Sequence, residues 1–523
     1  MVASGVTSSA FPFSSYRRGQ REAIEAARDA FAAGKRFVVI EAPTGSGKSA
    51  IGVTLAREAN SAFVLTAQKI LQDQYVTDFP DLALMKGRSN YDCLVRPTHA
   101  AAAPCIAGKR FPECDACPYF TAKGEAIAAN VATMNYAYFL AELNYSGGFG
   151  HRDLLVLDEA HNIEGALMGF VQVTVSEVAL TRAGISTRIP YASEDYEYLD
   201  FVEELLPVVR AKAQSLEDEL KSGKTRSGDI ELSQLRNKQW LDNLSGRLRL
   251  LLDSVDDDLA EWTVERTSGS AGQTLTFKPV LVNRFSEPLL FAHADRVLML
   301  SATILDAETF LASLDIDPEE AQVITVESDF PAQSRPIYVK PTARLTRQHL
   351  DRELPRLARE VSRILDEHPY EKGIVHAHSY RIAGFLATAL REEHGTRIIT
   401  HGSAGERDAA LTSHLTSSAP TVLLTPSMTE GIDLSGDLSR FQVIVKIPYP
   451  FLGDPQVRRR TELDGDWYQW RTCLTVVQAY GRSIRSRDDH AVTYLLDADF
   501  PAFLRRQSKR LPAWFREALI PQQ

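Results

Sequence analysis

Cysteine is scarce in this chain, with five in 523 residues, too few for a disulfide framework. Four of the five, Cys93, Cys105, Cys114 and Cys117, fall in one short segment, which points to metal instead. No apolar run approaches the roughly 18 residues of a membrane span, and Met1-Val-Ala-Ser-Gly-Val-Thr7 lacks the basic and apolar regions of a secretory leader. A soluble, cytoplasmic protein in a reducing compartment is expected. Net positive charge is missing too: the formal charge is −10, which argues against wholesale nucleic-acid binding. It leaves room for a local basic channel, since Arg458-Arg-Arg460, Arg505-Arg506 and Lys509-Arg510 are basic while the stretch Glu194 to Glu261 is acid-rich. What is present, 44% hydrophobic and 24% charged residues, is globular, and the length exceeds a single core.

The most informative stretch is Glu41-Ala-Pro-Thr44-Gly45-Ser46-Gly47-Lys48-Ser49. It follows Phe37-Val-Val-Ile40, of buried-strand type, and precedes the helical run from Ala50 to Arg57. Strand, glycine-containing turn and helix are the context of a phosphate-binding loop. Gly45 and Gly47 let several N–H groups face one anion, and the helix N-terminus adds its dipole. Lys48 is expected on the β/γ-phosphates and the Ser49 hydroxyl on Mg²⁺. Ala42 stands where the general pattern has glycine. Upstream, Gln20 opens a helix; it could read an adenine edge, although a glutamine so placed is more often solvated.

A second strand of buried type, Leu154-Leu-Val-Leu157, ends in Asp158-Glu159-Ala-His161. Adjacent carboxylates at a strand end suit nucleotide hydrolysis, with Asp158 holding Mg²⁺ and Glu159 orienting and deprotonating the attacking water. The cysteines are spaced C-x11-C-x8-C-x2-C in a loop-rich segment. Spacing alone favours zinc over an iron–sulfur cluster.

From Ala122 a helical pattern runs through Thr133 to Leu140. Residues 166–290 read as an inserted, largely helical domain, with Leu241, Leu244, Leu248 and Leu251 at helical spacing. Short apolar strands alternate with helices after Pro331, which argues for a second α/β unit on a parallel sheet. His376 and His378 alternate on one of its strands and are read as structural. The same unit carries Thr429-Glu-Gly-Ile-Asp433 and Gln478-Ala-Tyr-Gly-Arg482-Ser-Ile-Arg485. Arg482 and Arg485 are three apart on one helical face, where two guanidiniums could meet phosphates bound to the first unit.

Taken in order, these motifs resemble the iron–sulfur helicases of superfamily two, the XPD/DinG group, and within it DinG-like proteins. The resemblance rests on residues 42–49, Lys86-Gly-Arg-Ser-Asn-Tyr-Asp-Cys93, Asp158–His161, Leu300-Ser-Ala-Thr303, 429–433 and 478–485, and spans Tyr16 to Leu496. It implies two RecA-like parallel-sheet motor domains, with an iron–sulfur domain and a helical arch inserted in the first. The expected boundaries are 1–85, 122–165 and 291–330 for the first motor domain, 86–121 for the cluster domain, 166–290 for the arch and 331–523 for the second motor domain. It implies ATP-driven 5′→3′ movement on single-stranded DNA and unwinding at duplex junctions, by a monomer, in repair or replication. By the same resemblance Cys93, Cys105, Cys114 and Cys117 hold a 4Fe–4S cluster in place of zinc, and Gln20 faces adenine. Gln478, Arg482 and Arg485 face the γ-phosphate, and His161, Ser301 and Thr303 couple nucleotide state to domain motion. Aromatics such as Tyr119, Phe120 and Tyr136 could stack on bases or pack in the core. Two departures are visible: Asp488-Asp-His-Ala491 lacks the family's glycine, and the arch is short and acidic. A metal-stabilised NTPase that switches protein partners is the rival from another class; an accessory helicase of a CRISPR or phage system is the nearer one.

Overall fold

The structure is a computed structural model describing residues 10–67, 69–222, 228–255, 261–269, 272–328, 330–426, 434, 436–481 and 489–520. Among these residues, seventeen strands organise it. They are β1 (Phe37–Glu41), β2 (Ala62–Thr66), β3 (Ala83–Leu84), β4 (Val131–Asn135), β5 (Arg152–Asp158), β6 (Val173–Ser176), β7 (Trp262–Gly269), β8 (Gly272–Pro279) and β9 (Ala294–Ser301). There follow β10 (Ala321–Thr325), β11 (Ile337–Ala343), β12 (Gly373–His376), β13 (Ile398–Thr400), β14 (Val422–Thr425), β15 (Phe441–Ile444), β16 (Val492–Asp497) and β17 (Leu519–Ile520). Two seven-stranded sheets result, in the orders β10-β1-β9-β5-β2-β4-β3 and β13-β14-β12-β15-β16-β11-β17, every paired neighbour parallel.

The continuous apolar strands are explained by burial on both faces. In β1, Phe37 and Val39 face one core while Val38 and Ile40 face another, the period of two that a pleated strand imposes. Phe63 and Leu65 of β2 divide from Ala62 and Val64 in the same way. The helix Lys48–Glu58 lies so close over this sheet that a Cβ at Gly52 would stand 2.8 Å from Leu300.

Two sequence expectations are corrected here. The helical run from Ala122 to Leu140 is interrupted: the helix Pro118–Ala128 gives way to β4, and Tyr136–Ala141 is a new helix. Pairing with both β2 and β3 draws Val131–Asn135 into the sheet and overrides its helical neighbours. His376 and His378 do not share a strand, because β12 ends at His376 and His378 turns away with φ +58°. The 166–290 insertion holds the expected long helices, Glu197–Lys221 and Gly228–Ser254, packed on one another. It adds an antiparallel sheet β6-β8-β7, in which Leu275 and Phe277 are buried while Thr274, Thr276 and Lys278 alternate with them.

One buried cation joins the first sheet to the cysteine segment. Arg152, at the start of β5, donates to the carbonyls of Ala62 at 2.9 Å, Ala126 at 2.8 Å, Ala129 at 2.8 Å and Asn130 at 3.0 Å. It thereby satisfies the C-terminal carbonyls of the helix Pro118–Ala128, with its guanidinium 4.5 Å from the Phe63 ring. Replacing it leaves several buried acceptors short of donors at once. Arg152→Leu should therefore cost about 3 kcal/mol in chemical denaturation; a loss under about 0.5 kcal/mol would show that the carbonyls find other partners.

Candidate active site

The phosphate loop begins where β1 ends. Gly45 and Gly47 take φ of +82° and +80°, a region that favours glycine, and Gly47 stands at the N-terminus of the helix Lys48–Glu58. No side chain caps that terminus, so its first N–H groups remain for an anion. Gln20 is buried, not solvated: its Nε2 donates to the Gly47 carbonyl at 3.1 Å and its Oε1 accepts from the Arg17 N–H at 2.6 Å. A Cβ at Gly47 would lie 2.2 Å from Gln20 Nε2, so a side chain there would displace the Gln20 amide from the loop. The Arg17 guanidinium donates to the Gly45 carbonyl, and Lys48 Nζ rests on the Ala42 carbonyl at 3.3 Å.

Asp158 ends β5, its carboxylate accepting from the Tyr75 hydroxyl at 2.7 Å and from the Glu159 N–H at 2.9 Å. Burial, and then the neighbouring Glu159 carboxylate, raise its affinity for a proton above the ordinary carboxylate range, while Lys48 and Tyr75 pull the other way. Glu159 has φ +52°, strained for a residue with a Cβ. His161 Nδ1 lies 2.9 Å from Ser301 Oγ. The same hydroxyl lies 3.1 Å from the Thr303 carbonyl and accepts from the Thr303 N–H at 3.1 Å. Glu41, just before the loop, accepts from the N–H groups of Ile304 and Leu305 at 2.7 and 2.9 Å, tying the Ser301–Thr303 turn to the phosphate loop.

The second sheet's half completes the site. On the helix Gly465–Tyr480, Gln478 Nε2 donates to Thr303 Oγ1 at 3.3 Å, and a Cβ at Gly481 would stand 3.8 Å from Thr44 Oγ1. A cavity of about 620 Å³ is lined by Thr44, Lys48 and Ser49, by Asp158 and Glu159, and by Gln478 from the other half. Gln478 lines its wall, and among the described residues its buried Oε1 has no hydrogen-bond partner. Hard oxygen donors, the Asp158 carboxylate and the Ser49 hydroxyl, share the cavity with the cationic loop; this donor set fits Mg²⁺ and polyphosphate together. Arg482, Arg485 and the motif 429–433 lie outside the described residues. Tyr75, Glu41 and Tyr136, whose hydroxyl donates to the Asp158 carbonyl at 3.0 Å, were not legible as site residues. Glu41 opens the phosphate-loop stretch and Tyr136 is a base-stacking candidate in the sequence, but only the fold shows what they and Tyr75 hold.

All four clustered cysteines are free, half-buried thiols lining one small cavity. Among the described residues no three His, Cys, Asp or Glu side chains converge on a single metal-ion position. Arg88 lies over Tyr119 at 4.5 Å and Phe120 at 5.6 Å and donates to Cys105 Sγ at 3.8 Å. Burial pushes the Cys105 thiol up, and Arg88 opposes it. The segment leans on the long helices of the insertion, through Ala107 against Leu220 and Leu235 and through Glu231 paired with Arg96 and Lys109. Tyr119 and Tyr136 are core residues 1% and 3% exposed, so neither presents a face for base stacking; Phe120 is exposed.

Family comparisons agree with this geometry. Residues 361–518 match the helicase C-terminal domain, and residues 14–181 match the type III restriction enzyme res subunit. The ATP-dependent DNA helicase YoaA of Escherichia coli is 23% identical, covering 94% of this chain and 93% of its own length. The ATP-dependent DNA helicase DinG of Photobacterium profundum is 23% identical, covering 75% of this chain and 69% of its own. A solved XPD helicase superposes with a TM-score of 0.64 at 18% identity, covering 94% of this chain and 96% of that one. Xpd4 of S. tokodaii does so at 0.57 and 17%, covering 97% and 100%. Two parallel-sheet, RecA-like halves meet at one phosphate loop. The relatives and the matched domains together support an XPD/DinG-type helicase of superfamily two.

Cys473 supplies a test of the cysteine assignment. It is fully buried, and burial pushes its thiol up to about 12. Brief alkylation of metal-free, native protein at pH 8 should therefore add four adducts and leave Cys473 free, whereas early labelling of Cys473 by mass spectrometry would contradict the packing.

Proposed function

We propose that this protein is an ATP-driven DNA helicase that moves 5′→3′ along single-stranded DNA and opens duplexes at junctions. The relatives named ATP-dependent DNA helicases support the reading. The observation that carries it is the cavity lined from both halves, in which a phosphate loop, an acid pair and Gln478 meet. In this reading Lys48 and the loop residues Thr44, Gly45, Ser46 and Gly47 bind the phosphates, and Gln20 faces the base. Ser49 and Asp158 would hold Mg²⁺, which when bound stabilises charge as a Lewis acid. Glu159 orients the attacking water and takes its proton, while Gln478, Arg482 and Arg485 meet the γ-phosphate. Hydrolysis then loosens the seam between the halves, and the strand advances. The enzyme works as a monomer in the cytoplasm, in DNA repair or replication.

Cys93, Cys105, Cys114 and Cys117 hold a 4Fe–4S cluster in this reading. Four thiols lining one cavity, together with the resemblance to the XPD/DinG group, support the cluster over the zinc that the cysteine spacing alone favours. When bound, the cluster supplies the cross-links that order a segment poor in apolar residues.

Lys48→Ala should lower ATP hydrolysis at least about a hundredfold with the fold intact, since it removes a phosphate cation and no core atom. Hydrolysis within about tenfold of wild type would reject the site. A duplex with a 5′ tail should be unwound in preference to one with a 3′ tail; the reverse preference would reject the polarity. Cys114→Ser should bleach the brown colour of anaerobically prepared protein and abolish unwinding while leaving ATP hydrolysis measurable. Stoichiometric zinc without iron in wild type would overturn the cluster.

A further inference from the structure

The mechanism above uses the phosphate end of the cavity and leaves its other end unexplained. Three aromatic or cationic residues of the second half stand there: Tyr480, Arg335 and Trp514, the last on the short helix Ala513–Glu517. Arg335 is buried and gathers them. It donates to the Tyr480 hydroxyl at 3.3 Å, to the Trp514 carbonyl and to the Phe330 carbonyl at 3.0 Å, with its guanidinium 5.6 Å from the Trp514 ring centre. Tyr480 stacks on Trp514 at 5.7 Å and 16°. The indole is thus fixed from several sides, yet only half-buried and open to the cavity.

The same wall adjoins Gln20. A Cβ at Gly19 would lie 2.6 Å from Val326, so the connecting segment beyond β10 runs beside the turn that carries Gln20, and Ser328 and Phe330 line the cavity between that turn and Arg335. A nucleotide with its phosphates on residues 44–49 and its base toward Gln20 shares the cavity with Trp514, a half-buried aromatic face of the opposite half. We propose that Trp514 is a base-binding residue, which completes the nucleobase pocket from the second domain and makes ATP affinity depend on closure of the seam. The inference rests on the nucleotide reading of the cavity. A fixed aromatic face contributes to base binding through stacking and exclusion of water, and does so without hydrogen bonds, so it favours a nucleobase over none more than it distinguishes bases.

The experiment compares Trp514→Ala, Trp514→Phe and wild type, using ATP and inorganic tripolyphosphate as competitors of a fluorescent ADP analogue, with thermal melting as a control. In Trp514→Ala the Kd and KM for ATP should rise roughly tenfold, kcat should stay within about twofold, and the tripolyphosphate constant should not move. Trp514→Phe should recover most of the ATP affinity and keep the wild-type melting temperature. If wild type binds no nucleotide, the nucleotide reading itself fails. If wild type binds and Trp514→Ala binds ATP equally well, or loses ATP and tripolyphosphate in proportion, the base-binding role is overturned. If Trp514→Ala does not fold, Trp514→Phe and Trp514→Leu decide: equal ATP constants in a foldable pair would overturn it too.

Discussion

The helix Gly465–Tyr480 is the element on which the two halves depend. Past its exposed first two residues it is buried or half-buried throughout. Trp467, Trp470 and Leu474 enter the core of the first sheet, while Cys473, Val476, Val477 and Tyr480 enter that of the second. A single rod buried in two cores fixes where its end must lie, and that end carries Gln478 to Thr303 and Gly481 to the phosphate loop. The apolar contacts hold the halves together; the polar tip decides what their meeting can sense. Each large side chain so buried is worth about 1.5–3 kcal/mol, so the seam is strong enough to persist and divided enough to shift.

Polar bonds along the helix give the seam its register. Trp470 donates to the Ile304 carbonyl at 2.7 Å, next to the turn that Glu41 secures. Arg471 donates to the His161 carbonyl at 3.3 Å, and Glu164, just beyond, accepts from Trp467 at 3.2 Å and pairs with buried Arg460. Beside them, His161, Ser301, Thr303 and Gln478 form a chain of polar contacts that starts one turn beyond Asp158 and ends in the other half. Pairs of buried charges contribute little net stability, but removing one partner is costly, so such a network rewards a single arrangement.

How much of this is legible follows from the range of the forces involved. The phosphate loop, the acid pair and the parallel strands are local: glycines with positive φ and apolar runs specify them within a few residues. Gln20 is legible only by resemblance, since its partner, the Gly47 carbonyl, is chosen by the fold. Val131–Asn135 reads as helix in the sequence because its strand partners β2 and β3 lie elsewhere in the chain. The sheet β6-β8-β7 is written in the alternation Thr274-Leu-Thr-Phe-Lys278, hidden behind the stronger period of two long helices. Arg335 and Trp514 carry no motif and become visible only where three distant segments meet.

The account stands or falls on coupling between nucleotide and strand. The measurement that tests it most directly is steady-state ATP hydrolysis by anaerobically purified protein, with and without a single-stranded oligonucleotide. A helicase motor should hydrolyse ATP roughly tenfold faster or more when the strand is present, because the strand favours the closed seam. Hydrolysis that ignores single-stranded DNA, and responds instead only to a protein partner, would contradict the helicase account and leave a switch in its place.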